Sequence, residues 1–233
     1  MSRRLVIASN NQHKVSELAR MVAEAAMPEI RELEVVSIGS LPEYGIPPEV
    51  GETADSFSGN AMLKADGFAA WLRTAGAPRD ELILADDSGL CVDAFGGEPG
   101  VYSARWAGKD ASDEDNNAKL VAELEARGME SSPAEYVCVL AIRRVGARPF
   151  DFTLPDAGSI YLRENCLCIE GRCTGNIRVA RRGQGGFGYD PHFWIDDDTR
   201  TFAELSQREK SERSHRGAAM RRLMLELPLI LRG

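Results

Sequence analysis

The stretch Gly183-Gln184-Gly185-Gly186-Phe187-Gly188-Tyr189-Asp190-Pro191 joins a backbone nearly stripped of side chains to two aromatic rings and a carboxylate. These groups suit a nucleotide base. Glycines let the chain turn sharply and approach a ligand, Phe187 and Tyr189 offer flat faces for a purine, and Asp190 accepts hydrogen bonds from base N–H groups. A tight loop between two strands is the competing reading, because glycine clusters mark turns more often than ligand sites.

Ser9-Asn10-Asn11-Gln12-His13-Lys14 stands where an apolar run gives way to a helical pattern. Free backbone N–H groups and the helix dipole favour an anion at such a point, and Lys14 adds a full positive charge. The two glycines and the Lys-Ser/Thr pair of a P-loop are missing, so a phosphate-binding turn and an Asn-rich turn with a solvated lysine both stay open. Glu52, Asp86 and Asp87 form the metal and base set, since a hard cation such as Mg²⁺ takes one or two carboxylates and leaves its other positions to water and phosphates. Asp86-Asp87-Ser88-Gly89 follows an apolar strand, which fixes its carboxylates at a sheet edge; a turn with a helix cap is the alternative. In the charged run Ser206 to Arg216, Lys210, His215 and Arg216 are placed to hold base oxygens or phosphates, unless the run is simply a solvated helix start.

These groups need elements to carry them. Arg3 to Ala8 reads as a buried strand, followed by a helix with Val15, Leu18 and Val22 on one side. A second helix runs from about Ser56 to Leu72, with Thr53 and Asp55 as available caps. Glu81 to Ala85 reads as a short strand ending at the paired aspartates, and Leu90 to Phe95 as another. Ser112-x-x-Asp115 opens a third helix that runs to Gly128. Strands are then expected at Tyr136 to Arg143, Pro149 to Leu154, Cys166 to Glu170, Ile177 to Val179 and His192 to Ile195. Thr201-x-x-Glu204 caps a helical turn, and a final helix spans about Ser214 to Leu227. Helices dominate early and strands later, which predicts a mixed sheet with helices packed around it.

Composition narrows the classes. With 28 basic against 36 acidic residues, the chain carries a formal charge of −8, which argues against nucleic acid or an anionic membrane surface as partner. A small anionic ligand is still allowed if a divalent metal offsets the repulsion locally. The apolar run Leu5 to Ala8 is too brief for a signal-peptide core, and no stretch approaches membrane-spanning length. Five cysteines without a tidy framework read as reduced thiols in a cytoplasmic protein. Cys166 and Cys168, with Cys173 following, are read as strand packing ahead of a metal site.

In order along the chain, these segments resemble the inosine triphosphate pyrophosphatase family, whose members hydrolyse non-standard purine nucleoside triphosphates. Ser9-Asn10-Asn11-x-x-Lys14 matches its opening block, and Glu52-Thr53 with Phe57-x-x-Asn60-Ala61-x-x-Lys64-Ala65 its second. Ala85-Asp86-Asp87-Ser88-Gly89-Leu90 with Gly97-x-Pro99-Gly100-Val101-Tyr102-Ser103-Ala104-Arg105 is the third. Gly185 to Pro191 and Lys210-x-x-x-Ser214-His215-Arg216-Gly217 complete the set. The resemblance implies an α/β fold, residues 1–233 forming a single domain of two lobes around a long curved mixed β-sheet, with flanking helices and a central active-site cleft. It implies a homodimer and Mg²⁺ as cofactor. Ser9, Asn11, Lys14 and Lys64 would hold the triphosphate, with Asn10, Gln12 and His13 in the same substrate-binding loop. Glu52 and Asp87 would serve the metal, and Asp87 would also activate water. Ser88 would touch the nucleotide, and Phe187, Gly188, Tyr189, Asp190, Lys210, His215 and Arg216 would receive the base.

The chain departs from the family at Asn10, where glycine is common, at His13, near which small residues are usual, and at Ala54, another frequent glycine. The stretch 148–165 is longer than expected, with Pro155, Asp156 and Gly158 suggesting an extra hairpin at a dimer interface or over the cleft. Two rival functions are a non-catalytic sensor of purine triphosphates and a pyrophosphatase acting on modified pyrimidines. Pyrophosphate release separates the first, and a panel of triphosphates the second.

Overall fold

The computed structural model describes residues 3–152, 158–195 and 198–232, with the side chains of Gln12 and His13 outside that description. The buried run Arg4–Ile7 forms β1, which pairs in parallel with β2 (Glu34–Ser37) and β3 (Leu82–Val92); Leu5 stands opposite Val35 on one side and Leu82 on the other. Parallel neighbours need crossovers. Helix α1 (Gln12–Ala23) and the short α2 (Pro28–Arg31) make the first, and α3 (Phe57–Thr74) precedes β3. Leu18 and Val22 of α1 are buried, as their spacing predicts, and β2 is an additional strand. The cap of α3 is Ser56, whose hydroxyl accepts from Gly59 N, in place of Thr53 or Asp55.

The remaining elements are α4 (Asp113–Ala126), β4 (Ser131–Arg144), β5 (Ile160–Arg163), β6 (Cys166–Arg178), β7 (Phe193–Ile195), β8 (Arg200–Thr201), α5 (Gln207–Arg213) and α6 (His215–Arg232). The reciprocal Ser112–Asp115 capping box opens α4. Among the described residues the sheet has eight strands in the order β2-β1-β3-β4-β6-β7-β8, with β5 pairing with β6. Because β5–β6, β6–β7 and β7–β8 are antiparallel while β1–β2 and β1–β3 are parallel, the sheet is mixed, as the sequence predicts.

Several boundaries differ from expectation. Asp86-Asp87-Ser88-Gly89 is the middle of β3 and not a turn between two strands. Cys166 to Glu170 and Ile177 to Val179 merge into β6, whose interior Gly175 sits so close to Trp194 O that a Cβ would overlap it. No strand forms over 149–152, although Phe150 is buried; Leu154, Pro155 and Asp156 lie outside the described residues. The extra hairpin expected at Pro155, Asp156 and Gly158 falls largely outside the described residues; the hairpin that the structure describes here is β5–β6, turned by Glu164 (φ 49°) and Asn165 (φ 64°), with Arg163 opposite Cys166. Helix α6 continues through Pro228 to Arg232.

The chain divides into two compact units. The first comprises Met1–Asp87, Val139–Glu170 and Ala219–Gly233; its core includes Leu5, Leu18, Leu72, Leu82, Ile83, Leu140 and Ile142. The second comprises Ser88–Cys138 and Gly171–Ala218; its core gathers Leu90, Val92, Leu120, Leu124, Tyr136, Phe193 and Phe202. All five cysteines are free thiols, with Cys166 and Cys168 fully buried in β6.

Candidate active site

In the first unit, the two aspartates of β3 meet two lysines. Consecutive side chains of a strand point to opposite faces, so Asp86 and Asp87 are delivered to different helices. Lys14, from the first turn of α1, places its ammonium 2.8 Å from both Asp86 oxygens. Lys64, two turns into α3, lies 3.2 Å from Asp87 Oδ1 and 2.8 Å from Glu52 Oε1. These pairings explain why Asp-Asp persists inside a buried strand: each carboxylate removed from water has a cation within hydrogen-bond distance.

Burial pushes the Asp87 carboxyl above the usual aspartate value; Lys64 and Asn60 oppose the shift and Glu52 adds to it. Burial works against the Lys64 ammonium, but Asp87, Glu52 and Asp86 together outweigh it and hold its pKa above the usual lysine value. Asn60 ties the arrangement together. Fully buried on α3, it donates through Nδ2 to Asp87 Oδ2 at 3.3 Å and accepts from Ala54 N at 2.9 Å, joining the Glu52 loop to the strand carboxylate. Sequence reasoning noted Asn60 only as part of a motif. The available signal was an amide on the buried stripe of a helix, where a polar group needs partners.

The first loop is shaped by its own hydrogen bonds. Ser9 Oγ accepts from Asn11 N at 3.1 Å, and Ser37 Oγ donates to Ser9 O at 2.8 Å. Asn10 turns its amide oxygen toward Ser37 and Gly39, close enough that a Cβ on Gly39 would overlap it. Asn10 therefore braces the loop against the chain after β2. The side chains of Gln12 and His13 lie outside the described residues.

Oxygen donors that converge on one cation are the set a hard divalent ion uses. Glu52 Oε1 and Asp87 Oδ1 already share the Lys64 ammonium, so the carboxylates fit Mg²⁺. Among the described residues no group of three or more His, Cys, Asp or Glu is arranged as a protein-only cage. A two-carboxylate site completed by water and phosphate needs none.

In the second unit, the glycine loop is gathered around Asp190. This aspartate is 2% exposed, accepts from Phe187 N at 2.8 Å and is ion-paired with Lys210 of α5. Gly186 has φ 80°, and a Cβ there would run into the Asp190 carboxylate, so the loop closes only with glycine at this position. Burial raises the Asp190 pKa, with Lys210 and the Phe187 N–H opposing it. The Lys210 ammonium also lies 4.3 Å from the Phe187 ring centroid, while Phe187 remains 61% exposed.

Tyr189 corrects the expectation of two stacking faces. It is 3% exposed, packs in the core of the second unit and donates its hydroxyl to Ser103 O at 2.8 Å. The exposed aromatic face of the loop belongs to Phe187, and Tyr189 anchors it. His215 opens α6 and stacks on Tyr136 at 4.8 Å, and Arg216 donates to Ser88 Oγ at 3.3 Å. Gly188 is held from both sides by α4: its N–H donates to Asp113 Oδ2 at 2.6 Å, and its carbonyl accepts from Asn117 Nδ2 at 3.0 Å. Asp113 and Asn117 escaped the sequence reading, although polar residues at helical spacing with the buried Leu120 and Leu124 were a usable signal.

The Ham1 family model matches residues 5–226. A dITP/XTP pyrophosphatase of Geobacillus kaustophilus is 40% identical over 219 residues, covering 94% of this chain and 91% of that protein. One of Desulforamulus reducens is 41% identical over 221 residues, covering 95% and 94%. Among solved structures, a HAM1 protein from Coxiella burnetii superposes with a TM-score of 0.77 at 31% identity, over 97% of this chain and 98% of that one. The Staphylococcus aureus Ham1 protein gives 0.72 at 32% identity, over 97% and 98%.

Proposed function

The chain belongs to the Ham1 family, and we propose that it hydrolyses the non-standard purine nucleotides ITP, dITP and XTP to the monophosphate and pyrophosphate, removing them from the nucleotide pool. The observation that carries this reading is the pairing of Lys14 with Asp86 and of Lys64 with Glu52 and Asp87. A triphosphate offers the lysines stronger anions, and Mg²⁺ offers the carboxylates a stronger cation, so substrate and metal together would exchange partners with these pairs. Glu52 and Asp87 would hold Mg²⁺, which supplies charge neutralisation at the phosphoryl oxygens.

In the reaction a water oxygen bonds to the α-phosphorus and the α–β bridging P–O bond breaks, with pyrophosphate leaving. The water proton passes to the Asp87 carboxylate, which serves as the general base. Lys14 and Lys64, with the Ser9–Asn11 turn, take the negative charge of the phosphates. Phe187, Lys210 and Asp190 receive the base. Hypoxanthine and xanthine present an oxygen at C6 where adenine presents an amine, so cationic donors such as Lys210 and Arg216 favour the former. An unmatched buried polar group costs about 1–3 kcal/mol. Guanine shares the C6 oxygen, so its 2-amino group must be excluded by shape or left unpaired.

The reading includes a homodimer, carried by the family resemblance and tested by light scattering on the purified chain. It also includes a cytoplasmic setting, supported by the five free thiols; among the described residues no helix is long and apolar enough to cross a membrane. The test of the catalytic assignment is Asp87→Asn. Loss of the base lowers turnover of ITP by about 10²–10⁴-fold while calorimetry still detects nucleotide binding. Near-normal turnover in that variant removes Asp87 from the role.

A further inference from the structure

Helix α4 has no part in the chemistry above, yet it grips the loop assigned to the base. Asp113 and Asn117 are four residues apart and so share a helix face. Together they take the N–H and the carbonyl of Gly188, the residue between the exposed Phe187 and the buried Tyr189. Asn116, next along the helix, accepts from Ala107 N at 2.8 Å and donates to Ala104 O at 3.2 Å. It thereby fastens the segment whose Ser103 carbonyl receives the Tyr189 hydroxyl. One helix thus supports the loop directly and through the residues that anchor its tyrosine. Asn117 is buried, and its Oδ1 finds no hydrogen-bond partner among the described residues. A buried orphan acceptor is a stability cost, so the amide is best accounted for by what its donor does at Gly188.

We propose that Asp113 and Asn117 are positioning residues for base recognition: by clamping Gly188 they fix Phe187 against Lys210 and so set discrimination among purines. The proposal rests on the reading of Phe187, Lys210 and Asp190 as the base pocket. A glycine-rich, exposed loop left unclamped must be ordered by the ligand itself, which raises KM without touching the lysines and carboxylates that act on the phosphates. Discrimination falls as well, because a loop free to shift can accommodate the 2-amino group of guanine.

The test measures kcat and KM for ITP, GTP and inorganic tripolyphosphate, together with Tm. Asn117→Leu keeps approximate volume and removes the donor; Asp113→Ala removes the acceptor, and Asp113→Asn retains one. Asn117→Leu and Asp113→Ala are expected to raise KM for ITP about tenfold and to lower the ITP-to-GTP ratio of kcat/KM, with kcat changed by less than about threefold. Asp113→Asn is expected to behave like the unmodified chain. A lowered Tm with KM and ratio unchanged, or an equal rise in KM for tripolyphosphate, overturns the proposal. Phe187→Ala, run in parallel, separates the two levels. If it collapses the ITP-to-GTP ratio while the α4 variants do not, the clamp alone fails; if it leaves the ratio unaltered, the base-pocket reading fails and the clamp with it.

Discussion

Replacing Lys210 by methionine leaves a carboxylate stranded in the second unit. The Asp190 side chain is 3% exposed and that of Lys210 15%, so the pair is largely withdrawn from water. Methionine keeps most of the aliphatic packing over Phe187 and removes only the charge. Asp190 then has the Phe187 N–H as its remaining hydrogen-bond support. Removing one partner of a buried pair typically costs about 3–5 kcal/mol. Protonation caps the cost, because the carboxyl can take up a proton instead of remaining charged. At about 1.36 kcal/mol per pH unit above the ordinary aspartate value of 3.8, the ceiling is about 4.4 kcal/mol at pH 7 and about 1.6 kcal/mol at pH 5.

The sign follows from the direction of the shift. Asp190 has a raised pKa in the folded chain, so its contribution to stability is fully present below about pH 3.8 and is lost as pH rises through the folded value; without Lys210 that loss is larger and extends further up the scale. For a chain of this length about 1 kcal/mol corresponds to about 2–4 °C in Tm. Thermal unfolding of Lys210→Met is therefore expected to show a deficit of about 6–18 °C at pH 7 and no more than about 6 °C at pH 5. An equal deficit at both pH values would refute the reasoning, since it would trace the loss to packing over Phe187 and Phe202.

Two further substitutions probe other parts of the account. In Lys64→Met, Glu52 and Asp87 lose the ammonium they share, so affinity for Mg²⁺ without nucleotide is expected to rise about three- to tenfold by calorimetry while turnover falls; unchanged metal affinity counts against the two carboxylates as the metal site. In Gly186→Ala, the positive φ alone costs about 1–2 kcal/mol and the added Cβ meets the Asp190 carboxylate, so Tm is expected to fall by at least about 2–8 °C; a neutral result means that the loop does not close as described.

Much of this arrangement was legible in the sequence where the signal is local. The Ser112–Asp115 capping box, the apolar stripe of α1 and the run of β1 each depend on residues within a few positions of one another. Asp86-Asp87-Ser88-Gly89 misled because it has turn composition, and what keeps it extended is remote: Lys14 is 72 residues away from Asp86 and Lys64 is 23 from Asp87. The interior of β6 reads as a break for a related reason, since Gly175 is required by the approach of Trp194 O from the neighbouring strand. In the candidate site, residue types pointed to Lys14, Glu52, Asp86, Asp87, Asp190 and Lys210, the family resemblance added Lys64, and the structure pairs these charges. The burial of Tyr189 and the grip of α4 on Gly188 depend on packing between distant segments, which no local pattern encodes.

The central claim is tested most directly by pyrophosphate release from ITP, XTP, GTP and ATP, each with and without Mg²⁺. The account predicts rapid, Mg²⁺-dependent release from ITP and XTP and little from GTP or ATP. Tight binding of ITP without turnover, or equal turnover of all four, would contradict it.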